Sequence, residues 1–199
     1  GGARADRLLY QARLALDETL RLKVVRKMYA MRFGEEPPAR RSVEQLRGIE
    51  GARVKAIYRL MAQKYGIDWE GRHYDRANPN ATDIPNQAIN HAATAVQAAA
   101  AIAVQAVAAL PPLGFIHEDS GQSFVLDIAD LYRETATLHI AFTAAKQAEK
   151  SDETIDRLVR REAATVFRKQ QVIASMIDSI QRVLRMDEVG HGTGDDRDS

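Results

Sequence analysis

Cysteine is absent from the 199 residues. This excludes a disulfide framework and thiolate chemistry, and it fits the reducing cytoplasm. An excess of one charge sign is lacking as well: 28 lysines and arginines face 27 aspartates and glutamates, leaving a formal charge of +1. The chain is therefore not coated with positive charge, and any surface for nucleic acid must come from local patches. The first residues do not read as a secretory signal. Long hydrophobic runs are scarce. The one candidate, residues 92–110, is mostly alanine and carries Gln97 and Gln105 at its centre. Alanine is only weakly hydrophobic, so the run reads as a buried central helix with no membrane as partner. A phosphate-binding glycine loop, a dinucleotide fingerprint and a nucleophile elbow are all missing. No internal repeat is visible, and no strand beyond a possible short piece at 113–116.

What is present is helix. Apolar residues make up 45% of the chain, enough for a buried core. Over residues 3–30, Leu8, Leu9, Ala12, Leu16, Leu20, Val24, Val25 and Met28 form one stripe at helical period. Gly34, Pro37 and Pro38 interrupt it. Ser42 with Gln45 three residues on is a capping-box signature for a second helix that runs to Tyr65 and stops at Gly66. Residues 67–82, with the only tryptophan, Trp69, read as a structured loop. The alanine-rich helix spans 85–110, and further helices are expected at 124–145 and 152–184. Residues 190–199 are low in apolar content and are expected to be a disordered acidic tail to a helical domain at 1–189. Basic residues outnumber acidic ones about two to one over residues 21–72, while the chain beyond Asp187 is rich in Asp and Gly. A basic body with an acidic tail suits a polyanion partner.

Four side chains stand out chemically. Glu50 falls on an apolar stripe formed by Val43, Leu46, Val54, Ile57 and Met61, so a cation, a metal or a proton must compensate its charge. An intrahelical pair with Arg47 or Arg53 is one solution. Asp127 and Asp130 lie three apart on one helical face among large apolar residues. Ser123 is a candidate N-cap, which would make them helix-dipole acids, although that effect fades after the first turn. His117 precedes Asp127 by ten residues. Hard oxygens with one imidazole suit Mg²⁺ or Mn²⁺ better than structural zinc. Spacing does not establish that Glu50 meets the others. For binding, Arg157, Arg160, Arg161 and Arg168 fall near one helical face, and Arg47, Lys55 and Arg59 mark another. Each reads either as solvated surface or as a phosphate track. Arg72 and Tyr74 place an aromatic beside a basic group.

The segment Arg40-Arg41-Ser42-Val43-Glu44-Gln45-Leu46-Arg47-Gly48-Ile49-Glu50-Gly51 closely resembles the glutamate-bearing helix of the CRISPR-associated spacer integrase, in its subtype I-E form. Gly114-Phe115-Ile116-His117, followed by Ser123-Phe124-Val125-Leu126-Asp127-Ile128-Ala129-Asp130, is similar to that family's histidine and paired-aspartate segment. The resemblance reaches from the first residue to about Leu184. It implies that Glu50, His117 and Asp127 bind a catalytic Mg²⁺ or Mn²⁺, with Asp130 beside them as a fourth catalytic residue. It also implies that Arg157, Arg160 and Arg168 lie along a DNA track and that Arg72 and Tyr74 match a basic-aromatic segment near the active site; with Arg47, from the other basic face, these are the expected DNA contacts. Glu118-Asp119-Ser120-Gly121-Gln122 departs from the short lysine-containing loop of related proteins. The expected fold is all-α, a multi-helix catalytic domain lacking the family's N-terminal β domain, and the chain is expected to be a fragment of a longer protein.

The activity so implied is integration: a DNA 3′-hydroxyl attacks a phosphodiester at the edge of a CRISPR repeat, on double-stranded and branched DNA. The implied partners are a second copy, as a homodimer of the full-length protein, and a small ferredoxin-like CRISPR-associated protein. Two rival readings stand beside it. One is a non-catalytic helical DNA-binding or scaffolding module in which Glu50 pairs with arginine. The other is an unrelated metal-dependent nuclease that cleaves linear duplex.

Overall fold

A computed structural model describes residues 2–73, 77–78 and 82–185, with side chains from residue 5 onward. Among the described residues it forms eight α-helices and one π-helical segment, with no strand, so the all-α expectation is met. The helices are α1 (Gly2–Leu16), α2 (Glu18–Phe33), α3 (Val43–Tyr65), α4 (Ile84–Ala106), α5 (Ser123–Asp130), α6 (His139–Ala148), α7 (Ile155–Lys169) and α8 (Val172–Leu184). The π segment, Arg133–Leu138, lies between α5 and α6. None of these helices is long and apolar enough to cross a membrane.

Residues at the helix ends explain most boundaries. The single helix expected over 3–30 is two. Asp17 leaves helical geometry and its carboxylate accepts the Leu20 N–H at 2.9 Å, starting α2 with a side-chain cap. Gly34 ends α2 in the left-handed region, φ 72°. The capping box at Ser42 is complete: its hydroxyl accepts from Gln45 N at 3.2 Å, and the Gln45 side chain accepts from Ser42 N at 3.0 Å. Asp83 caps α4. The helices expected at 124–145 and 152–184 each divide, the second at Gln171, φ 47°. Residues 113–116 form a loop, not a strand. Ser123 is the first helical residue and not the cap. Its hydroxyl instead donates to Ser120 O, and it accepts from Ser120 N.

The alanine-rich α4 is the central element, touching α5, the π segment, α6, α7 and α8. Ala88, Ala92, Ala99, Ala100 and Ala103 are almost wholly buried along it, with Ile89, Val96 and Val104. Methyl side chains let neighbouring helices come close, which is why a weakly hydrophobic run can be the core. Two connections matter for function. Trp69 stacks on Tyr58 of α3 at 5.6 Å and meets Phe142 of α6 edge-on at 5.6 Å, fixing the loop after α3. Phe115 and Phe124, both fully buried, fix the connection between α4 and α5. The expected tail, 190–199, and Tyr74 lie outside the described residues.

Candidate active site and nucleic-acid groove

Asp127 is fully buried, and its carboxylate is saturated. Oδ2 accepts the N–H groups of Phe115 (2.6 Å) and Ile116 (3.1 Å), while Oδ1 accepts the N–H of His117 (2.9 Å). His117 Nδ1 adds a fourth contact to Oδ1 at 2.7 Å. The carboxylate therefore nucleates the loop that carries the histidine. Gly114 permits the tight approach: a Cβ there would lie 2.4 Å from His117 O and 2.7 Å from Ser123 Cβ. With Nδ1 committed to Asp127, His117 presents Nε2 to Asp130, 3.9 Å away. The Asp127 bond, then the charges of Asp130, Asp127 and Glu50, hold the imidazole above its ordinary pKa despite burial.

Glu50 stands at the same place. On α3, it is tied to this region through Arg32, which it shares with Glu134, the neighbour of the Arg133 that pairs with Asp130. Its neighbours differ from those expected. Neither Arg47 nor Arg53 compensates it. Arg32, from the last turn of α2, pairs with Glu50 through Nη1, and the Tyr29 hydroxyl donates to Glu50 Oε2 at 3.0 Å. Burial and the Glu50 charge push the Tyr29 hydroxyl far above its ordinary range, so it stays a donor. Arg53 pairs with Glu35 instead. Arg32 is 2% exposed and also makes a two-point contact with Glu134 of the π segment, Nη2–Oε1 at 2.9 Å and Nε–Oε2 at 3.4 Å. Arg133 pairs with Asp130. The sequence reading missed Tyr29, Arg32, Arg133 and Glu134. Only the tertiary fold relates α2 and the π segment to Glu50.

Among the described residues, no three His, Asp or Glu side chains converge closely enough to hold a metal ion as they stand. The reason is visible in the pairing. Glu50 and Asp130 each already face a guanidinium, so a cation does occupy their field. Two carboxylates and an imidazole Nε2 are a donor set for a hard divalent ion. Asp127 does not fit the ligand role expected for it, since four donors surround its buried carboxylate; Asp130 is the acid facing Nε2.

A groove of about 990 Å³ leads to Asp130 and Arg133 between α3 and α4. Lys55 and Arg59 line its α3 side; Asn90, His91, Thr94 and Gln97 line its α4 side; Trp69 and Arg72 come from the loop. Fully buried Asn86 fixes that loop. Its amide donates to Gly71 O, and its carbonyl accepts from His73 N at 3.0 Å and Arg72 Nη1 at 2.8 Å. Arg72 also reaches Asn90 Oδ1 at 2.6 Å. Of the other expected DNA contacts, Arg47 is exposed near Tyr29 and Glu50. Arg157, Arg160 and Arg168 lie exposed along α7. Arg157 pairs with Glu153 at 3.1 Å and Arg160 with Asp156 at 2.8 Å. His91 Nδ1, 3.5 Å from Asp156, links the groove to this helix.

The model of the family described as CRISPR associated protein Cas1 matches residues 32–173. This chain belongs to the Cas1 family. It is 47% identical to the CRISPR-associated endonuclease Cas1 of Geobacter sulfurreducens over 184 residues, covering 92% of this chain and 59% of that protein. It is likewise 47% identical to the CRISPR-associated endonuclease Cas1 of Escherichia coli over 189 residues, covering 95% of this chain and 61% of that protein. The chain thus spans about three fifths of the length of these relatives. Its fold superposes on the TtCas1–DNA complex with a TM-score of 0.82 at 34% identity, over 92% of this chain and 67% of that one. A Cas1 protein from Thermotoga maritima shares the fold at a TM-score of 0.70 and 12% identity, over 89% of this chain and 69% of that one.

Proposed function

We propose that this chain is the helical catalytic part of a Cas1 integrase, a divalent-metal-dependent enzyme that joins a DNA 3′-hydroxyl to a phosphodiester of a CRISPR array. The observation that carries this reading is His117 Nε2 facing Asp130 at 3.9 Å, where a groove bearing Lys55, Arg59 and Arg72 reaches Asp130, with Glu50 joined to the same region through Arg32 and Glu134. In this reading Glu50, His117 Nε2 and Asp130 are the ligands of Mg²⁺ or Mn²⁺. Asp127 is the buried acid behind the histidine, setting its tautomer and direction as carboxylates behind metal-bound histidines do. The ion, when bound, lowers the pKa of the attacking hydroxyl and neutralises charge growing on the phosphoryl oxygens. The chain's own part is to hold the ligands, to orient the strand in the groove and to attract phosphates along α7. The arginines there are well suited to that: Arg157 and Arg160 are 76% and 79% exposed, and such surface pairs contribute little to folding. Their guanidiniums can turn to phosphate at small cost.

The reading extends to the whole protein a homodimer, a small ferredoxin-like partner, double-stranded and branched DNA as substrates, and a cytoplasmic site of action. A second reading has one observation in its favour. Glu50 is paired with an arginine, as a non-catalytic DNA-binding module requires. Strand-transfer assays on a labelled branched substrate with Mg²⁺ or Mn²⁺ separate the two. His117→Ala and Asp130→Ala are expected to lower joining by at least about a hundredfold while duplex affinity stays within severalfold. Undiminished joining in either variant overturns the ligand assignment, and absence of joining by the wild type in the whole protein favours the binding module. Cleavage of linear duplex without joined product would instead point to a plain nuclease.

A further inference from the structure

Arg32 is the least expected group in the site. It is a cation that is 2% exposed, reaching Glu50 with one nitrogen and Glu134 with two. Glu50 and Glu134 are themselves only 15% and 21% exposed. A buried guanidinium deprived of carboxylate is strongly unfavourable, whereas one that exchanges one carboxylate for another is not. The site has both. Arg133 and Glu134 are adjacent in sequence, and in an α-helix adjacent side chains diverge by about a hundred degrees. Both belong to the wider turn that begins at Tyr132, whose carbonyl accepts from Ala136 and from Thr137 five residues on. Arg133 there reaches Asp130, and Glu134 reaches Arg32.

We propose that Glu134 sets the affinity of the site for its divalent ion by retaining Arg32 when Glu50 turns from the guanidinium to the metal. The inference rests on the reading of Glu50 as a ligand. Arg32 competes with the ion for Glu50, and Glu134 offsets that competition because it satisfies the guanidinium through the two-point contact alone. Glu134 is thus a positioning residue, acting on the ion only through Arg32. A glutamine in its place keeps the shape and loses the charge, so Arg32 would stay locked to Glu50.

The test is Mn²⁺ titration of the 199-residue chain, followed by electron paramagnetic resonance of the free ion, for wild type, Glu134→Gln, Arg32→Gln and the double variant. Glu134→Gln is expected to weaken Mn²⁺ binding on the order of tenfold. In the Arg32→Gln background the same change is expected to alter it by no more than about twofold. Far-UV circular dichroism establishes that each variant is folded. If Glu134→Gln alone does not fold, the comparison of Arg32→Gln with the double variant carries the test. A Glu134→Gln variant that folds and binds Mn²⁺ as the wild type does overturns the proposal and leaves the ligand assignment intact. So does a Glu134 effect of full size without Arg32. A wild-type chain that binds no Mn²⁺ overturns the ligand assignment and this proposal together.

Discussion

Asp127 and Asp130 lie three residues apart on one helix, and their surroundings give them different work. Asp127 meets only donors, three backbone N–H groups and an imidazole, in full burial. Asp130 is one-fifth exposed and faces Arg133 and His117 Nε2. The alternation of acids with large apolar residues marks both as unusual, but nothing in it distinguishes the anchor from the acid at the groove. That requires the loop at 114–117 to fold back over α5, and Gly114, its enabling residue, carries no chemical signature. The division predicts a pH effect. In Asp127→Asn, the imidazole of His117 should lose its main stabilising contact, and its pKa should fall towards the ordinary histidine value. Ring-proton NMR titration of the metal-free chain reads this directly, and a value unchanged from wild type would show that Asp127 does not hold the ring. The sign for stability follows. Because the folded pKa is raised, the charged imidazole's contribution is complete below the ordinary histidine pKa and is lost as pH rises through the folded value. The wild-type advantage in Tm over Asp127→Asn should therefore shrink across that window, leaving the pH-independent share due to the three backbone contacts.

Elements were legible where their ends are local and illegible where tertiary contacts set them. Ser42 with Gln45, and Gly34 and Gly66 at helix ends, are readable because a cap is a matter of three or four residues. The break after Asp130 is not. Tyr132 leaves the helix with its hydroxyl 2.8 Å from both Ser175 Oγ and Ser179 Oγ of α8, partners more than forty residues away. Apolar periodicity continues on both sides, so the sequence shows one helix where there are three segments. The alanine run was legible as a buried helix for a reason that also predicts its tolerance. Ala100 and Ala103 are fully buried in α4, where five other elements pack. Ala100→Leu adds volume that has no space to occupy, and a cost of about 1–3 kcal/mol is expected. Urea unfolding followed by circular dichroism should show a lower midpoint with an unchanged slope. A midpoint equal to the wild type's would mean that α4 is loosely packed, contrary to its burial.

At the scale of the molecule, net charge conceals the arrangement that matters. A formal charge of +1 gives no long-range attraction for DNA, and the basic groups become useful by position: Lys55, Arg59 and Arg72 in the groove, Arg157, Arg160 and Arg168 on α7. Arg157 and Arg161 are held by Glu153 and Arg160 by Asp156, and the bond from Arg161, then its charge and that of Arg157, keeps the Glu153 carboxyl below its usual range. Two outcomes are therefore possible for these ion pairs when duplex approaches. If the arginines turn to phosphates, each contact releases counterions, and log K falls with log salt by about 0.9 per phosphate neutralised. Arg157→Gln and Arg160→Gln should then each reduce the salt slope by about one and weaken binding alike for every sequence. If the arginines serve only Glu153 and Asp156, the slope should not change. Measuring duplex affinity by fluorescence anisotropy across a salt series decides between them, because a general loss of stability would lower the active fraction without altering the slope. Glu153→Gln sharpens the comparison: freeing Arg157 and Arg161 from their acid should strengthen duplex binding at low salt if α7 is a phosphate track, and should leave it unchanged if α7 is only solvated surface.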